Sequence, residues 1–348
     1  MLVFNAGFLP DQYSMLLFHA LARLDIESLV LVSPENPIVS LGYFQDLDGV
    51  DLDYCANNGI SIMRRELGGG TTLLDRNQIF YQLILKKDNP LLPGSIDQLY
   101  QKFSQPAIDT YADLGVATKF KPINDIITDE GRKIAGEGGG DIEECTVFVG
   151  GILLDFDFEL MTHVLKVPDE KFRDKMYKTM EENMTTLKRE LGQIPDREKV
   201  IDLLIKNFSK VVGPLTPSEV PNDAWDVARV LGQDFKTEEF LHRNSRKQSQ
   251  LQIGAGVSMK QGMYKAPGGL IQATSVIRDG YIESLQLNGD FTFYPKNSLP
   301  LLAESLQGVL FNPEAVKQQI DKMFSELDLE MPGVNPQDIC QAIFSETK

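Results

Sequence analysis

A run of three glycines at residues 68–70 constrains the fold more than any other feature of this 348-residue chain. Glycine loses more conformational freedom on folding than any other residue, so such a run persists where the backbone has to approach something closely. The preceding residues, 60–65, have a strand-like pattern that ends in the basic pair Arg64 and Arg65, and residues 78–85 predict an apolar strand after the run. The run is therefore either a hairpin turn beside exposed cations or an anion-binding loop, and we favour the loop.

This loop matches neither of two common nucleotide-binding motifs. No Gly-Lys-Ser or Gly-Lys-Thr ends the run, so it is not a phosphate loop of the Walker type. The dinucleotide-binding pattern G-x-G-x-x-G at the start of a helix is also missing. A nucleotide would have to be bound in another way.

A lone lysine, Lys133, lies in a second informative stretch, between the turn residue Gly131 and the small residue Gly136. Most lysines are solvated surface charges, so position rather than residue type singles this one out. Upstream lie Asn124 and Asp125; the residue type of Asp125 alone favours a turn or cap, the alternative being a partner for magnesium or lysine. With the basic pair and the glycines, Lys133 predicts a site that holds a carboxylate during activation by a nucleotide.

The composition is that of a globular protein large enough for two domains. The formal net charge of −16 argues against nucleic-acid binding, which usually leaves a basic footprint. The same charge repels acidic partners at long range, so any acidic protein partner has to be met locally, and local basic sites such as Arg64 and Arg65 are not excluded.

Cysteine usage and hydropathy indicate the compartment. Cys55, Cys145 and Cys340 are widely spaced, which favours reduced, mostly buried thiols, with Cys145 as a nucleophile the minority alternative. The three histidines show no metal-binding spacing. The N-terminus has no secretion signal and no apolar run reaches the roughly 18 residues of a membrane helix, so we expect a cytoplasmic protein without a membrane partner.

Hydrophobic periodicity predicts strands mixed with helices up to about residue 241, and strands followed by two helices at the end of the chain. The predicted helices lie at residues 11–24, 53–58, 96–114, 169–211 (with a break near residue 192), 224–241, 299–308 and 313–327. The later strands are predicted at residues 252–259, 270–278 and 281–287. The polar residues 243–250 mark the predicted boundary between domains 1–243 and 244–348, and both domains are predicted to be α+β.

Several motifs together resemble those of the lipoate–protein ligases. The resemblance covers about residues 35–330. The matching segments are residues 37–42 with Gln45 (PIVSLG), 64–70 (RRELGGG), 124–126 (NDI), 132–136 (RKIAG), 151–155 (GILLD), 165–168 (LKVP) with the helix that follows, 265–271 (KAPGGLI), 280–282 (GYI) and 289–291 (GDF). Each piece is short, but the combination is specific.

The resemblance implies the mixed sheet and helices of the biotin and lipoate ligases, followed by a small α+β accessory domain. It also implies a two-step reaction in which lipoate and ATP, with Mg²⁺, form lipoyl-adenylate, and a lysine of a lipoyl-carrier domain then takes the lipoyl group. Lys133 would be the catalytic lysine, and Asp125 would hold the magnesium. The lipoate- and adenylate-binding residues would be Arg65, Gly68, Gly69, Gly70, Thr71, Gln78, Asn124, Asp125, Gly136, Lys166 and Val167. We expect a monomer.

The sequence departs from the family pattern at five places and therefore predicts a divergent subfamily. Leu67 replaces a serine before the glycines, and Leu74 replaces the histidine of a His-Asp pair. Asn77-Gln78 replaces Gly-Asn, so Gln78 would do the work of the amide at the nucleotide phosphates or metal. Glu137-Gly138 replaces Ser-Ala, and Val149 replaces a histidine.

Three other functions remain open. An octanoyl or lipoyl transferase of the same fold would use an acyl-carrier thioester without ATP. A non-catalytic paralogue would bind lipoylated domains without releasing AMP. A biotin ligase is the weakest alternative. Ile62, Phe80, Tyr81 and Leu83 are candidate walls of an acyl tunnel, although ordinary core packing is the favoured interpretation of all four.

Overall fold

The computed structural model describes residues 1–244 and 257–345. Contacts within the chain divide it into two units. The first unit comprises Met1–Leu41, Asp48–Glu66 and Thr72–Leu241, and the second comprises Gly42–Leu47, Leu67–Thr71 and the residues from His242 onward. The predicted domain boundary at residues 243 and 244 stays a prediction, and residues 245–250 of the polar segment lie outside the described residues. The second unit thus includes two short segments from within the sequence of the first.

A mixed sheet of six strands forms the centre of the first unit. Its strands are β1 (Leu2–Leu9), β2 (Ser28–Pro34), β6 (Gln78–Lys86), β10 (Gly138–Ile142), β11 (Cys145–Leu153) and β12 (Thr216–Pro217). Their order is β10-β11-β6-β2-β1-β12, with β1 parallel to both of its neighbours and the other pairs antiparallel. All seven residues of β2 are buried, as expected of a mostly apolar central strand.

Two small three-stranded sheets accompany the central sheet. One contains β3 (Ile38–Leu41), β4 (Ser61–Arg64) and β5 (Thr72–Leu74), in the order β4-β3-β5. The other contains β7 (Thr118–Lys121), β8 (Asp125–Thr128) and β9 (Lys133–Gly136), paired antiparallel in chain order. A single residue, Glu137, separates β9 from β10, so the small sheet runs directly into the edge of the central one.

Nine helices in the described part of the first unit surround these sheets. They are α1 (Asp11–Arg23), α2 (Leu52–Asn57), α3 (Ile96–Asp113), α4 (Phe158–Val164), α5 (Glu170–Asn183), α6 (Leu187–Leu191), α7 (Arg197–Val212), α8 (Asn222–Asp234) and α9 (Glu238–Leu241). The predicted helical stretch 169–211 is therefore three helices, broken near residue 192 as expected and again at residues 184–186. Most of the nine begin at a side chain that accepts a backbone N–H, for example Ser95 before α3 and Asp169 before α5.

One large hydrophobic cluster of the first unit lies against one face of the central sheet. Tyr81 and Leu83 of β6 point to this face and pack with residues of α3 and α7, including Phe103 and Phe208. The intervening residue Gln82 points to the opposite face, where its side chain donates to the backbone of α1. The strand alternation therefore gives β6 two covered faces.

A three-stranded antiparallel sheet and three helices build the second unit. Its elements are β13 (Val257–Ala266), β14 (Gly269–Arg278), β15 (Tyr281–Gly289), α10 (Ser298–Ser305), α11 (Pro313–Glu326) and α12 (Pro336–Phe344). Sequence analysis predicted only two of these helices. The third, α12, is marked by a capping box of Asn335 and Asp338 and by Pro336 in its first turn, signals that could have revealed it.

The predicted α+β class and the mixed sheet are confirmed by this architecture. Residues 252–256 of one predicted strand lie outside the described residues, and its remainder falls within β13. Among the described helices, none has the length and apolar content needed to cross a membrane.

Candidate functional site

Lys133 forms an ion pair with Asp125 across the hairpin of β8 and β9. Its Nζ lies 2.6 Å from Asp125 Oδ1, and the side chains are 38% and 25% exposed, respectively. Both strands are short, and the Gly131 turn brings them together. The structure thus makes Asp125 the partner of the lysine, while its role as a magnesium ligand stays a prediction. A half-exposed cation held at one oxygen of a carboxylate can reorient toward an incoming anion.

Gly136 provides the space in which the Lys133 side chain lies. A Cβ atom at residue 136 would be 2.9 Å from Lys133 Nζ and 3.0 Å from its Cε. A larger residue would therefore displace the end of the lysine. The backbone of Lys133 is held as well, because Thr185 N donates to Lys133 O at 2.8 Å and Met184 pairs with Lys133 as a parallel bridge.

Asn124 closes the hairpin against Glu137. Glu137 N donates to Asn124 O at 2.7 Å, and Asn124 Nδ2 donates to Glu137 O at 2.6 Å. Asn124 therefore uses one of its two amide N–H groups within the protein, and its predicted binding role stays a prediction.

Glu137 is a buried acid in this segment. Its side chain is 4% exposed, and it accepts a hydrogen bond from the hydroxyl of Tyr81. Among the described residues its second oxygen, Oε2, has no hydrogen-bond partner. Burial raises the pKa of Glu137 to about 8, against the opposing effects of the Tyr81 hydrogen bond and of Lys133. The acid is therefore mostly neutral at pH 7.

Gly150 on β11 makes room for this acid. A Cβ atom at residue 150 would collide with the Glu137 carboxyl and with the Tyr81 hydroxyl. Glu137 was noted in the sequence only as a departure from the family pattern. Its pairing with Tyr81, 56 positions away, was missed because no local pattern indicates it. Burial in the core also means that Tyr81 and Leu83 pack as ordinary core residues, as favoured above.

The basic pair at the end of β4 has two different roles. Arg64 is fully buried, and its Nε and Nη2 donate to the carbonyl of Leu241 at 3.1 and 2.5 Å. Arg65 donates from Nη1 to the carbonyl and hydroxyl oxygens of Ser40, each at 3.0 Å. Burial lowers the pKa of Arg65 to about 10, with the nearby Tyr100 opposing the shift, so Arg65 stays a cation at neutral pH. Arg64 serves the fold, and the binding role of Arg65 stays a prediction.

His19 and Arg23 of α1 fix the residue that follows the basic pair. Glu66 N donates to His19 Nε2 at 3.1 Å, and Arg23 Nη2 lies 2.6 Å from Glu66 Oε2. His19 is fully buried, and its Nδ1 lies 2.8 Å from Met15 O, so the neutral ring donates there and accepts from Glu66. The sequence predicted no role for His19, because the spacing of α1 says only that the residue lies on the helix.

The glycine loop belongs to the second unit. Gly69 N donates to Phe291 O at 3.1 Å, and a Cβ atom at Gly68 would lie 2.8 Å from the Cα atom of Thr292. Gly69 also has a left-handed backbone with φ of 86°. Close approach of backbone therefore explains Gly68 and the left-handed backbone explains Gly69, while the anion-binding role of Gly68, Gly69, Gly70 and Thr71 stays a prediction. Thr71 Oγ1 donates to Gln45 Oε1 at 2.5 Å within the same unit.

The other predicted binding residues lie in two separate turns of the first unit. Gln78 begins β6, is buried, and donates from Nε2 to Leu73 O at 3.2 Å and to Asp75 Oδ1 at 3.3 Å. Lys166 is exposed, and Lys166 N donates to Gly49 O at 3.0 Å. Val167 follows it in the turn before α5 and is half-buried. The amide nitrogen of Gln78 thus donates only within its own turn. The Lys166 ammonium, in contrast, has no ion-pair partner in the described part of the chain.

Neither a reactive thiol nor a metal cluster occurs among the described residues. Cys55, Cys145 and Cys340 are buried and unpaired. Burial raises the pKa of the Cys55 and Cys145 thiols to about 11, aided by Asp51 and Asp25 respectively, and raises the pKa of Cys340. Thiolates are the reactive form, so these cysteines are poor nucleophiles at neutral pH. The described residues also contain no group of three His, Cys, Asp or Glu side chains that could hold a metal ion.

Comparison with known proteins identifies the family. Residues 12–209 match the family model "Lipoyl protein ligase A/B catalytic domain", and residues 260–343 match "Bacterial lipoate protein ligase C-terminus". The chain is 26% identical over 239 residues to octanoyltransferase LipM of Kyrpidia tusciae (62% of this chain, 87% of that one). It is 25% identical over 293 residues to lipoate–protein ligase 2 of Staphylococcus aureus (83% of this chain, 82% of that one).

A solved structure with the same fold comes from Thermoplasma acidophilum. It is a bi-partite lipoate protein ligase, described together with its E2 lipoyl domain, and it is 26% identical to this chain with a TM-score of 0.62. The alignment covers 71% of this chain and 98% of that one. The expected lipoate-ligase fold is thereby confirmed. With a catalytic-domain match over more than half of its length, the chain belongs to the lipoyl protein ligase A/B family.

Proposed function

We propose that this chain is an ATP-dependent, AMP-forming lipoate–protein ligase. Lipoate and ATP would give lipoyl-adenylate and pyrophosphate, and a lysine of a lipoyl-carrier domain would then take the lipoyl group and release AMP. The observation that carries the choice between ligase and transferase is the burial of all three cysteines. An acyl-enzyme formed on cysteine needs an accessible thiolate, whereas activation by ATP needs no protein nucleophile.

The C-terminal part of the chain supports the same choice. Residues 260–343 match the C-terminus of bacterial lipoate protein ligases. The similarity to the staphylococcal ligase spans 83% of the chain, whereas that to the Kyrpidia octanoyltransferase spans 62%. A transferase would leave the function of the second unit unexplained.

Lys133 would supply the positive charge that both steps require. In the first step, a carboxylate oxygen of lipoate attacks the α-phosphorus of ATP, and the bond to pyrophosphate breaks. Two anions must meet, and a half-exposed ammonium on a rigid hairpin lowers their repulsion. In the second step, the carrier amine attacks the acyl carbon, loses a proton, and the bond to AMP breaks. Lys133 would then stabilise the charge that develops on the carbonyl oxygen.

Magnesium would be held mainly by the nucleotide. Asp125 is the one carboxylate beside Lys133 that we assign to the ion, and no three-ligand group exists among the described residues. Mg²⁺ in phosphate chemistry is usually bound through one or two carboxylates together with the substrate phosphates, so this donor set fits. The ion would neutralise phosphate charge. The cytoplasmic location, the monomeric state and the absence of nucleic-acid partners remain predictions.

The test is lipoate-dependent exchange of labelled pyrophosphate into ATP, with Cys145→Ala beside the wild type. We expect exchange that requires lipoate and an equal rate for the variant, because the thiol has no role. The second candidate function, octanoyl transfer, is favoured by the similarity to octanoyltransferase LipM. It would be indicated by the absence of exchange together with transfer from an octanoyl-carrier thioester. Carrier binding with neither activity would indicate the non-catalytic paralogue.

A further inference from the structure

The backbone around Lys133 is irregular, so the hairpin alone does not fix this residue. β9 lies at the edge of its three-stranded sheet, and β8 is its only partner among the described strands of that sheet. The register of this pair shifts here, because Ile127 pairs with Lys133 while Ile126 pairs with Ala135. A bulge of this kind interrupts the ladder of hydrogen bonds and redirects a side chain. The position of Lys133 therefore depends on what holds β9 from outside the hairpin.

The segment between α5 and α6 holds the outer edge of β9. Met184 pairs with Lys133 as a parallel bridge, and Thr185 N donates to Lys133 O at 2.8 Å. Thr185 is fully buried, so its hydroxyl also needs a hydrogen-bond partner inside the protein. The hydroxyl donates at 2.5 Å to Oε1 of Glu190, which lies in α6. The side chain of Glu190 thus fixes the residue whose backbone fixes Lys133.

The same oxygen of Glu190 also binds the residue that precedes Lys133. Arg132 Nη2 lies 3.0 Å from Glu190 Oε1, and the two side chains are 31% and 16% exposed, respectively. Arg132 Nε is buried and has no hydrogen-bond partner among the described residues, so the guanidinium depends on the partners of Nη2. A hydrogen bond between two charged groups is stronger than one between neutral groups.

These contacts close a ring through two consecutive residues of the chain. Lys133 O accepts from Thr185, whose hydroxyl donates to Glu190. Glu190 binds Arg132, and the backbone leads from Arg132 back to Lys133. Two attachments to α6 and its first turn hold the start of β9 more firmly than either alone. Arg132 Nη2 also lies 2.6 Å from Glu130 Oε2, but the Glu130 side chain is 73% exposed and is not part of the ring.

We propose that Glu190 is a positioning residue that acts on the reaction through Lys133, an inference that rests on the proposed function. The ammonium of Lys133 is held at its end by one oxygen of Asp125, so an error in the backbone position is passed on to the charge. Misplacing a reacting group by about 1 Å can cost on the order of a hundredfold in rate. Glu190 contacts Thr185 and Arg132, and both contacts lead to the backbone of Lys133.

The test compares two carboxylates that bind the same atom. Glu190→Ala and Glu130→Ala each remove one acid from Arg132 Nη2 and change the net charge equally. We expect the kcat of lipoate-dependent pyrophosphate exchange to fall about tenfold for Glu190→Ala and to stay within about twofold of wild type for Glu130→Ala. Thr185→Val, which removes the hydroxyl and keeps the backbone donor, should cause a similar fall. Thr185→Ser, which keeps the hydroxyl, should retain most of the rate.

A double-variant cycle with Lys133→Ala separates positioning from general damage to the fold. If Glu190 acts through Lys133, adding Glu190→Ala to Lys133→Ala should change the residual exchange by less than about twofold. A further tenfold fall in that background would overturn the inference, as would equal losses for Glu190→Ala and Glu130→Ala. Glu190→Gln keeps the size of the side chain and an acceptor oxygen, so it serves if Glu190→Ala does not fold, and it should lower kcat about threefold.

Amide hydrogen exchange separates this inference from the proposed function, because it needs no substrate. The Thr185 amide, which donates to Lys133 O, should exchange about tenfold faster in Glu190→Ala than in wild type or in Glu130→Ala. If wild type shows no pyrophosphate exchange but the Thr185 amide responds in this way, the proposed function fails and the hold of Glu190 on Lys133 stands. Unchanged protection of this amide in Glu190→Ala would overturn the positioning role even if wild type exchanges pyrophosphate.

Discussion

Lys133 and the exposed lysines of α5 (Lys171, Lys175 and Lys178) show two different environments of lysine on one acidic protein. Lys133 is paired at 2.6 Å with Asp125, crosses the space left by Gly136, and is held by its backbone to residue 185. The lysines of α5 have neither an ion pair among the described residues nor a covering neighbour. A positioned cation can stabilise one charge at one place, whereas a solvated surface cation contributes little on its own and tolerates variation. The two sites should therefore respond very differently to mutation.

The largest expected effect is the removal of the positioned cation. Lys133→Ala should reduce lipoate-dependent pyrophosphate exchange by roughly a hundredfold to a thousandfold, because a preorganised charge is lost where two anions meet. Lys236→Ala, which removes an exposed lysine far along the chain, should keep the wild-type rate. Similar exchange rates for both variants would show that Lys133 is no different from a surface lysine.

A smaller effect is expected when Lys133 is displaced and not removed. Gly136→Ala places a methyl group where the end of the lysine lies, so Nζ has to leave its position near Asp125. Exchange should fall by roughly tenfold while the free energy of unfolding stays close to wild type, since the neighbour is a flexible side chain. Gly94→Ala is the control, because a Cβ atom there meets nothing within 4 Å. A fully active Gly136→Ala would mean that the exact placement of Lys133 is unimportant.

The buried acid Glu137 should make the folding stability of the protein depend on pH. Its pKa is about 8 in the folded protein against an ordinary value of 4.5, so between these values only the folded state binds the proton. Folding stability should therefore fall as pH rises through this window, by up to ~1.4 kcal/mol per pH unit from this group. Denaturant unfolding of Glu137→Gln between pH 5 and about 8 should show a shallower decline than wild type.

Glu182 of α5 is the matched control for this measurement. It is exposed, so Glu182→Gln should leave the pH dependence of unfolding unchanged. A decline as steep in Glu137→Gln as in wild type would mean that other groups cause it and that the buried acid is ionised at neutral pH.

The smallest effect is expected for a single lysine of α5. Lys178→Ala should leave lipoate-dependent pyrophosphate exchange within about twofold of wild type, since one exposed charge contributes little on its own. Lys199→Ala should leave the exchange rate unchanged. A tenfold fall in exchange for Lys178→Ala alone would show that Lys178 makes a specific contact, as Lys133 does.

Local patterns predicted the elements of the fold well. Helix α3 was expected at residues 96–114 and spans Ile96–Asp113, and the strand before the glycine run is β4, Ser61–Arg64. Amphipathic spacing and caps are local signals, and they act within a few turns of a helix. The pairing of Glu137 with Tyr81 depends on how β10, β11 and β6 assemble, which no local signal encodes.

Sequence reasoning could not tell which of two adjacent arginines would be buried. Arg64 and Arg65 are indistinguishable in the chain, yet Arg64 is buried against the Leu241 carbonyl and Arg65 lies at Ser40. Strand alternation sends neighbouring side chains to opposite faces, but which face is buried depends on contacts more than 170 positions away. The motif predicted that a basic pair matters, and the structure shows that the two arginines have different partners.

The membership of the glycine loop in the second unit has a consequence for how the protein is made. Gly69 bonds to Phe291, a residue that leaves the ribosome about 220 positions later, which is roughly 10–40 s at 5–20 residues per second. During that interval the loop can already pair with Tyr43 and Gln45 but lacks its partners at residues 291 and 292, although most of the first unit has been synthesised. The first unit can thus begin to fold while residues 67–71, between β4 and β5, are still an open loop. The loop acquires its shape last, when translation of the second unit supplies the backbone against which its glycines pack.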